Sequence, residues 1–347
     1  MNRLKMPIQF AKVSLRQVFF LALTFAALNL PISLSSQTLF PDLGGQRVGI
    51  SGFQFLKIPV SARSAALGET GITVINDATS IYVNPALAVE GNALDMSFTY
   101  ATWFAELSHA SASGIYKLGE NDAIGVGFIA LTSPDMDVTT VVNPDGTGEK
   151  FAYGDFVGSL TYSRRMTEQF SFGVTAKFVQ QSIGSVSLSA ALFDLGVCYR
   201  LDIMGIRLAA ALQNFGGTSR SMGSANVFGV GEVSEFIGVN PPSLFRLGIS
   251  AVPISDEMQS LAIYTQINSP NDNATTLGLG VEYLWNNLLA LRAGYTFGKD
   301  EQTIPDFGLG LRSDLSFGKF QLDYAFVNFQ TLGATHRFTL SFGDFKF

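Results

Sequence analysis

From Phe320 to Phe326 the chain alternates without a break. Phe320, Leu322, Tyr324 and Phe326 are large and apolar, and Gln321, Asp323 and Ala325 separate them. Successive side chains of a β-strand point to opposite faces, so this spacing makes a strand with one apolar and one small or polar face. The pattern recurs in Phe170–Phe178, Phe245–Ala251, Leu277–Tyr283 and Leu289–Phe297. Strands are expected near 94–101, 107–117, 122–131, 152–166, 168–182, 185–200, 205–214, 244–252, 258–267, 273–284, 287–297, 303–315, 318–327 and 336–347. That makes about fourteen, and an even count is what single-chain bacterial barrels show.

A soluble sandwich also alternates, but its outer face is usually rich in Lys, Glu and Thr. Here the second face is mostly Gly, Ser, Ala and isolated charges. Only 14% of residues are charged, 47% are hydrophobic and the mean hydropathy is +0.27. Beyond residue 36 no apolar run reaches the roughly 18 residues of a membrane helix. Lipid tolerates only helices and edgeless sheets, so an apolar chain without a spanning helix is expected to close into a barrel. The reading is an all-β membrane protein: an antiparallel transmembrane β-barrel of about fourteen strands with a short helical N-terminal hatch.

Arg3, Lys5, Lys12 and Arg16 precede an apolar run from Val18 to Leu30, followed by Pro31 and the small residues Ser33–Ser36. This is the order of a secretory signal peptide, and roughly 13 apolar residues are short for an anchor. Residues 1–36 are expected to be removed, leaving a hatch segment at 37–91 and a barrel at 92–347. Removal takes four of the 22 basic residues and none of the 28 acidic ones, leaving 18 against 28. No basic patch for nucleic acid remains. A lone cysteine, Cys198, excludes an internal disulfide.

The longer connections, 132–151, 215–243, 268–272, 298–302 and 328–335, all leave odd-numbered strands. Tight turns such as Trp285-Asn-Asn287 and Ser316-Phe-Gly318 all follow even-numbered ones. Long loops outside and short turns in the periplasm is the ordinary asymmetry, which places the chain in the bacterial outer membrane with both termini periplasmic. Two phase slips stand out, at Ala190–Phe193 and at Gly343–Asp344, before Phe345 and Phe347; they suggest bulges.

Residues 44–91 do not alternate. Ser61 reads as an N-cap for a short helix ended by Gly68, and Asn76–Tyr82 as a second helix ended by Asn84-Pro85. Such a segment either folds into the lumen or packs on the rim. Its residues Pro59, Ala62, Arg63, Ala66, Leu67, Gly68, Asp77, Ala78, Tyr82, Asn84 and Pro85 strongly resemble the PorV/PorQ family of outer-membrane proteins from Bacteroidetes and neighbouring phyla. Pro144–Gly148, Phe193–Gly196 and Gln213–Gly216 extend the resemblance. It implies a FadL-like fourteen-stranded barrel with a hatch. In the family's best-known branches it implies a part in type IX protein secretion or cell-surface assembly.

Alternation turns Arg165, Lys177, Asp194, Arg246, Glu282, Arg292, Arg312 and Asp323 toward the lumen. Arg63 in the hatch cannot shed its charge, so it is expected to be buried against Asp194, Glu282 or Asp323. Pro134, Met136, Val141, Val142, Phe228, Val230, Phe236, Ile237 and Val239 are apolar residues in two long loops, which marks them as partner contacts. His109 lies beside Ser108 and Ser111, but a His near a strand end is more often a rim residue than a catalytic one. Asp135, Asp137, Asn143 and Asp145 share one loop; a solvated loop is the ordinary reading and a Ca²⁺ site the sharper one. Neither catalysis nor a cofactor is expected. The expected partners are membrane lipids and secretion-machinery or surface proteins, and the expected role is interaction in protein secretion. The alternative is a FadL-like channel for hydrophobic small molecules or lipids.

Overall fold

A computed structural model describes residues 49–73, 77–227, 231–234, 236–299, 302–315 and 318–344. The expected signal peptide, residues 37–48 of the hatch segment, Asn76, Phe228, Val230, Phe345 and Phe347 lie outside the described residues. The barrel strands are β1 (Leu94–Thr102), β2 (Ser108–Lys117), β3 (Asp122–Thr132), β4 (Tyr153–Arg165), β5 (Phe170–Ile183), β6 (Val186–Arg200) and β7 (Arg207–Gly216). They continue as β8 (Leu244–Ser255), β9 (Gln259–Pro270), β10 (Thr276–Trp285), β11 (Leu289–Phe297), β12 (Asp306–Leu315), β13 (Gly318–Asn328) and β14 (Ala334–Gly343). Each pairs antiparallel with its neighbours in sequence, and β1 pairs with β14, so the fourteen-stranded sheet closes. Closure leaves no free edge, the condition for a sheet in lipid. No helix among the described residues is long and apolar enough to cross a membrane.

The alternation read from the sequence is the alternation of faces. In β10 Gly278, Gly280 and Glu282 lie on the inner, buried face, while Leu279 and Val281 are exposed on the outside. The slip at Ala190–Phe193 is not a change of face. Ala190, Leu192 and Asp194 all point inward and Phe193 and Leu195 outward; the irregularity is a register shift between β6 and β7 at Phe193/Leu195. The apolar phase changes there because Leu192 is an apolar lumen residue.

One end of the barrel carries long connections, the other short turns. Asn286 and Asn287 both adopt positive φ (53° and 50°), the conformation that a two-residue turn between right-twisted strands requires. At the loop end short ribbons rise from the barrel: 136–137 pairs with 150–151, 225–227 with 231–233, and 220–222 extends β6.

Residues 51–73 and 77–91 lie in the lumen. They start at the loop end, where Ser51 bridges Asn240, and finish at the turn end, where Glu90 meets Arg165 and Arg200. The described chain therefore begins at the end opposite the close of β14. Ala62–Ala66 is α-helical (α1); Gln54–Lys57, Gly71–Thr73, Ala78–Tyr82 and Pro85–Glu90 are 3₁₀ turns. Ser61 is the N-cap residue of α1, but it starts the helix through its backbone carbonyl; its hydroxyl makes no cap and is buried without a partner among the described residues. The 78–82 turn ends before Asn84-Pro85, which also opens the next turn, with Asn84 Oδ1 accepting from the Ala86 N–H. Proline suits a first turn because its missing N–H would have no partner there.

Candidate functional site

The lumen is filled by this plug, and the wall it meets has two unlike sectors. On β10–β13 the wall is glycine and charge. A Cβ at Gly280, Gly294 or Gly308 would overlap Leu67, Gly68 or Ala66, so α1 and its C-terminal turn lie directly on the strand backbones. Gly68 itself has φ +64°, and a Cβ there would stand 2.7 Å from Tyr295 N. Only glycine serves both purposes at that point.

The charges sit just beyond this contact. Arg63 donates through Nη2 to Glu282 Oε1 at 2.6 Å and through Nε to Glu282 Oε2 at 2.9 Å. Arg292 bridges Glu282 at 2.5 Å and Asp323 at 2.7 Å, and Arg312 stands 3.9 Å from Glu282. Glu282, Arg292 and Asp323 are buried. A two-pronged guanidinium–carboxylate contact fixes orientation as well as distance. Of the three carboxylates open to Arg63, the barrel shear presents Glu282. Asp194 is held instead by Lys177 Nζ and the Asn214 N–H.

On β2–β6 the inward face carries an apolar cluster among polar residues such as Ser113, Thr161, Thr175 and Lys177. Ile115, Ile129, Leu131, Val157, Val179 and Leu192 point inward and pack against Phe53, Phe55, Val60, Ile81 and Tyr82 of the plug. The lumen face expected to be mostly Gly, Ser, Ala and isolated charges thus also holds this cluster: inward valines and leucines on single strands look like noise in an alternating pattern, and only the closed sheet collects them into one sector. Between Leu56–Val60 and this wall lies a cavity of about 30 Å³, bordered by Tyr82, Ile129, Val157, Lys177 and Arg246. A second cavity of about 560 Å³ opens at the turn end between Asp77, Asp95, Arg312 and Gln321.

The remaining family-motif residues are structural parts of the plug. Ala62, Ala66, Leu67, Ala78 and Asn84 are 1% exposed or less. Asp77 Oδ1 caps Thr79 N, the Tyr82 hydroxyl shares its one proton between the carbonyls of Ala112 at 2.8 Å and Phe128 at 3.1 Å, and Pro59 lines the 30 Å³ cavity. Pro85 lies against Gly173 and Gly196.

Sequence reading passed over the outer clamp. Asp272, between β9 and β10, accepts from Gln54 at 2.8 Å and from Lys57 at 3.1 Å. It also passed over Arg337, 1% exposed and 6.0 Å from the Trp103 ring, though the β14 alternation turns it inward.

In the long loops Pro134, Val141, Val142 and Ile237 are exposed. Met136, Phe236 and Val239 are half-buried. His109 faces inward with neither ring nitrogen partnered among the described residues, and Ser108 bonds Tyr100 instead. No group of three or more His, Cys, Asp or Glu side chains positioned for a metal occurs among the described residues.

The chain matches no family model, and no curated protein matches it in sequence. Solved structures match its shape. The toluene transporter TbuX of Ralstonia pickettii aligns over 86% of this chain and 100% of its own, with TM-score 0.54 and 14% identity. The toluene transporter TodX of Pseudomonas putida aligns over 86% and 98%, with TM-score 0.52 and 14% identity. A FadL homologue of Pseudomonas aeruginosa aligns over 81% and 97%, with TM-score 0.51 and 12% identity. The fold is that of FadL-type outer-membrane barrels. At these identities the likeness concerns the fold alone, and function has to be argued from the lumen.

Proposed function

We propose that this chain passes hydrophobic small molecules across an outer membrane, with residues 51–91 as its gate and without catalysis. The apolar sector on β2–β6 carries the reading. The interior of a water-filled porin is polar, whereas here an apolar cluster on the inward face reaches from Ile115 near the turn end to Leu131 near the loop end. Water gains nothing from such a path; an apolar solute replaces the plug's own Phe53, Phe55 and Val60 against it. The cavity of about 30 Å³ holds little more than a water or two, so the plug has to shift for a solute to move. Anchoring by one polar sector permits that: the Arg63–Glu282 contact holds the plug while its apolar side separates. The named transport of toluene by two proteins of this fold supports the same reading. Long loops then face the exterior and Asp344 the periplasm.

The test is entry of the apolar dye N-phenyl-1-naphthylamine into vesicles with a lipopolysaccharide outer leaflet, with and without the protein. Faster dye entry with unchanged leakage of a small polar dye is expected. Equal dye entry in both preparations would sink the reading.

A second reading has its own observation. Val141, Val142 and Ile237 are 102%, 85% and 94% exposed on the loop-end extensions. Apolar residues held out in this way fit a docking role with secretion-machinery or surface proteins, the part that the PorV/PorQ resemblance implies. Mild-detergent pull-down of the native barrel should then recover such a protein, and loss of that protein from Val141→Ser/Ile237→Ser would tie it to these residues.

A further inference from the structure

Arg246 on β8 is 7% exposed, yet among the described residues it has no ion pair and no hydrogen bond, and its Nε is fully buried without a partner. It lines the cavity of about 30 Å³ together with Lys177 and Glu69. The nearby carboxylates are already engaged. Lys177 pairs with Asp194 and Lys299 with Glu69, both at 2.5 Å. With Arg337 and Asp306, which also stand near Glu69, four cations face three carboxylates, and a guanidinium cannot neutralise itself by losing a proton. An excess of buried positive charge destabilises the fold unless something in the cavity answers it. The cavity has room for about one small group.

We propose that this cavity is an anion site, holding one monovalent group of halide or carboxylate size on Arg246 with Lys177 beside it. Two sources share that chemistry: a free anion such as chloride, and the carboxylate end of an apolar acid whose tail lies along Ile129 and Val157. The site does not depend on whether the barrel transports anything, because it follows from the charge count around the cavity.

Bromide provides the probe. Crystals of the full-length mature protein soaked in sodium bromide should show an anomalous peak against Arg246, absent in Arg246→Gln. In detergent, the Tm of the wild type should rise saturably as bromide or formate replaces gluconate at constant ionic strength, and Arg246→Gln should lose that rise. Lys177→Gln, which keeps the guanidinium, should weaken the response without abolishing it. Octanoate displacing bromide at lower concentration than formate identifies the carboxylate of an apolar acid as the natural occupant. Octanoate failing where formate succeeds identifies a free anion. No anomalous peak and no anion-specific Tm shift in the wild type would mean that water alone answers Arg246, and the proposal would be overturned without reference to any variant's folding.

Discussion

Arg63 on the plug and Glu282 on the barrel wall meet through two hydrogen bonds, with side chains only 5% and 6% exposed. The contact is not symmetric in consequence. Glu282 is also held by Arg292, and among the described residues it is the carboxylate that Arg63, Arg292 and Arg312 share. Arg63→Ala leaves Glu282 a partner. Glu282→Gln removes the shared counter-charge from all three guanidiniums. Breaking one side of a buried pair typically costs about 3–5 kcal/mol, so Arg63→Ala is expected near or below that range and Glu282→Gln above it. Protease protection of residues 51–91 in folded, detergent-solubilised barrel reads the difference. Equal cutting of wild type and both variants would show that the contact does not hold the plug.

The glycine wall makes a steric prediction. A side chain at Gly294 overlaps the backbone of Leu67 and Gly68, while one at Gly154 meets nothing within 4 Å. Gly294→Val should displace the plug by overpacking, at a cost of roughly 1–3 kcal/mol or more, while the strand pairing of β10, β11 and β12 survives. Gly154→Ala should behave as wild type. Heat-modifiable gel mobility reports the barrel and trypsin sensitivity the plug; a Gly294→Val barrel with a fully protected plug contradicts the packing.

Much of this architecture follows from period-2 alternation, which needs only neighbours in sequence. The side chains of Lys177, Asp194, Arg246, Glu282, Arg292 and Asp323 could be assigned to the inner face because each strand keeps phase locally. Glu282 and Arg292 face each other in the β10–β11 hairpin, and Lys177 and Asp194 lie on the adjacent strands β5 and β6, so those pairs were within local reach. The carboxylate that meets Arg63 was not, because it depends on where the plug runs, which leaves no local mark. The apolar sector was hidden too, since Val157, Val179 and Leu192 come from three strands. The Lys57–Asp272 clamp joins residues 215 positions apart. In the plug, Ser61 has the residue type of a side-chain cap, but burial in the lumen set the local geometry instead.

That clamp is sensitive to acid. Burial alone would raise the Asp272 carboxyl, but hydrogen bonds from Gln54 and Lys57 and the Lys57 charge outweigh it and hold the group below the ordinary Asp range. A carboxyl whose folded pKa is depressed stabilises the fold fully above its unfolded value, about 3.9. That contribution disappears as pH falls through the lower folded value. The strap at 51–57 should therefore stay fixed at pH 5 and loosen in stronger acid. Asp272→Asn should be loose at every pH. Cys198 is buried, so Ser51→Cys takes a spin label selectively. A label whose mobility is unchanged by acid in wild type, and identical in Asp272→Asn, would remove the clamp from the account.

Phe53 offers the sharpest test of the apolar side. It is fully buried against the β2–β6 sector yet carries a left-handed backbone, φ 52°. For a residue with a Cβ that conformation costs about 1–2 kcal/mol, so packing of the ring must exceed the strain. Phe53→Ala removes the ring and keeps the strain; truncating a buried Phe costs about 3–5 kcal/mol. Phe53→Gly removes the ring and most of the strain together. The glycine variant should thus be the more stable of the two by about 1 kcal/mol, the reverse of the usual order in regular structure. Both should speed entry of N-phenyl-1-naphthylamine, alanine more than glycine, while the Arg63–Glu282 anchor keeps residues 60–70 protected. If both variants are equally stable and neither admits the dye faster, the plug's apolar face is a static core and the gate must lie elsewhere.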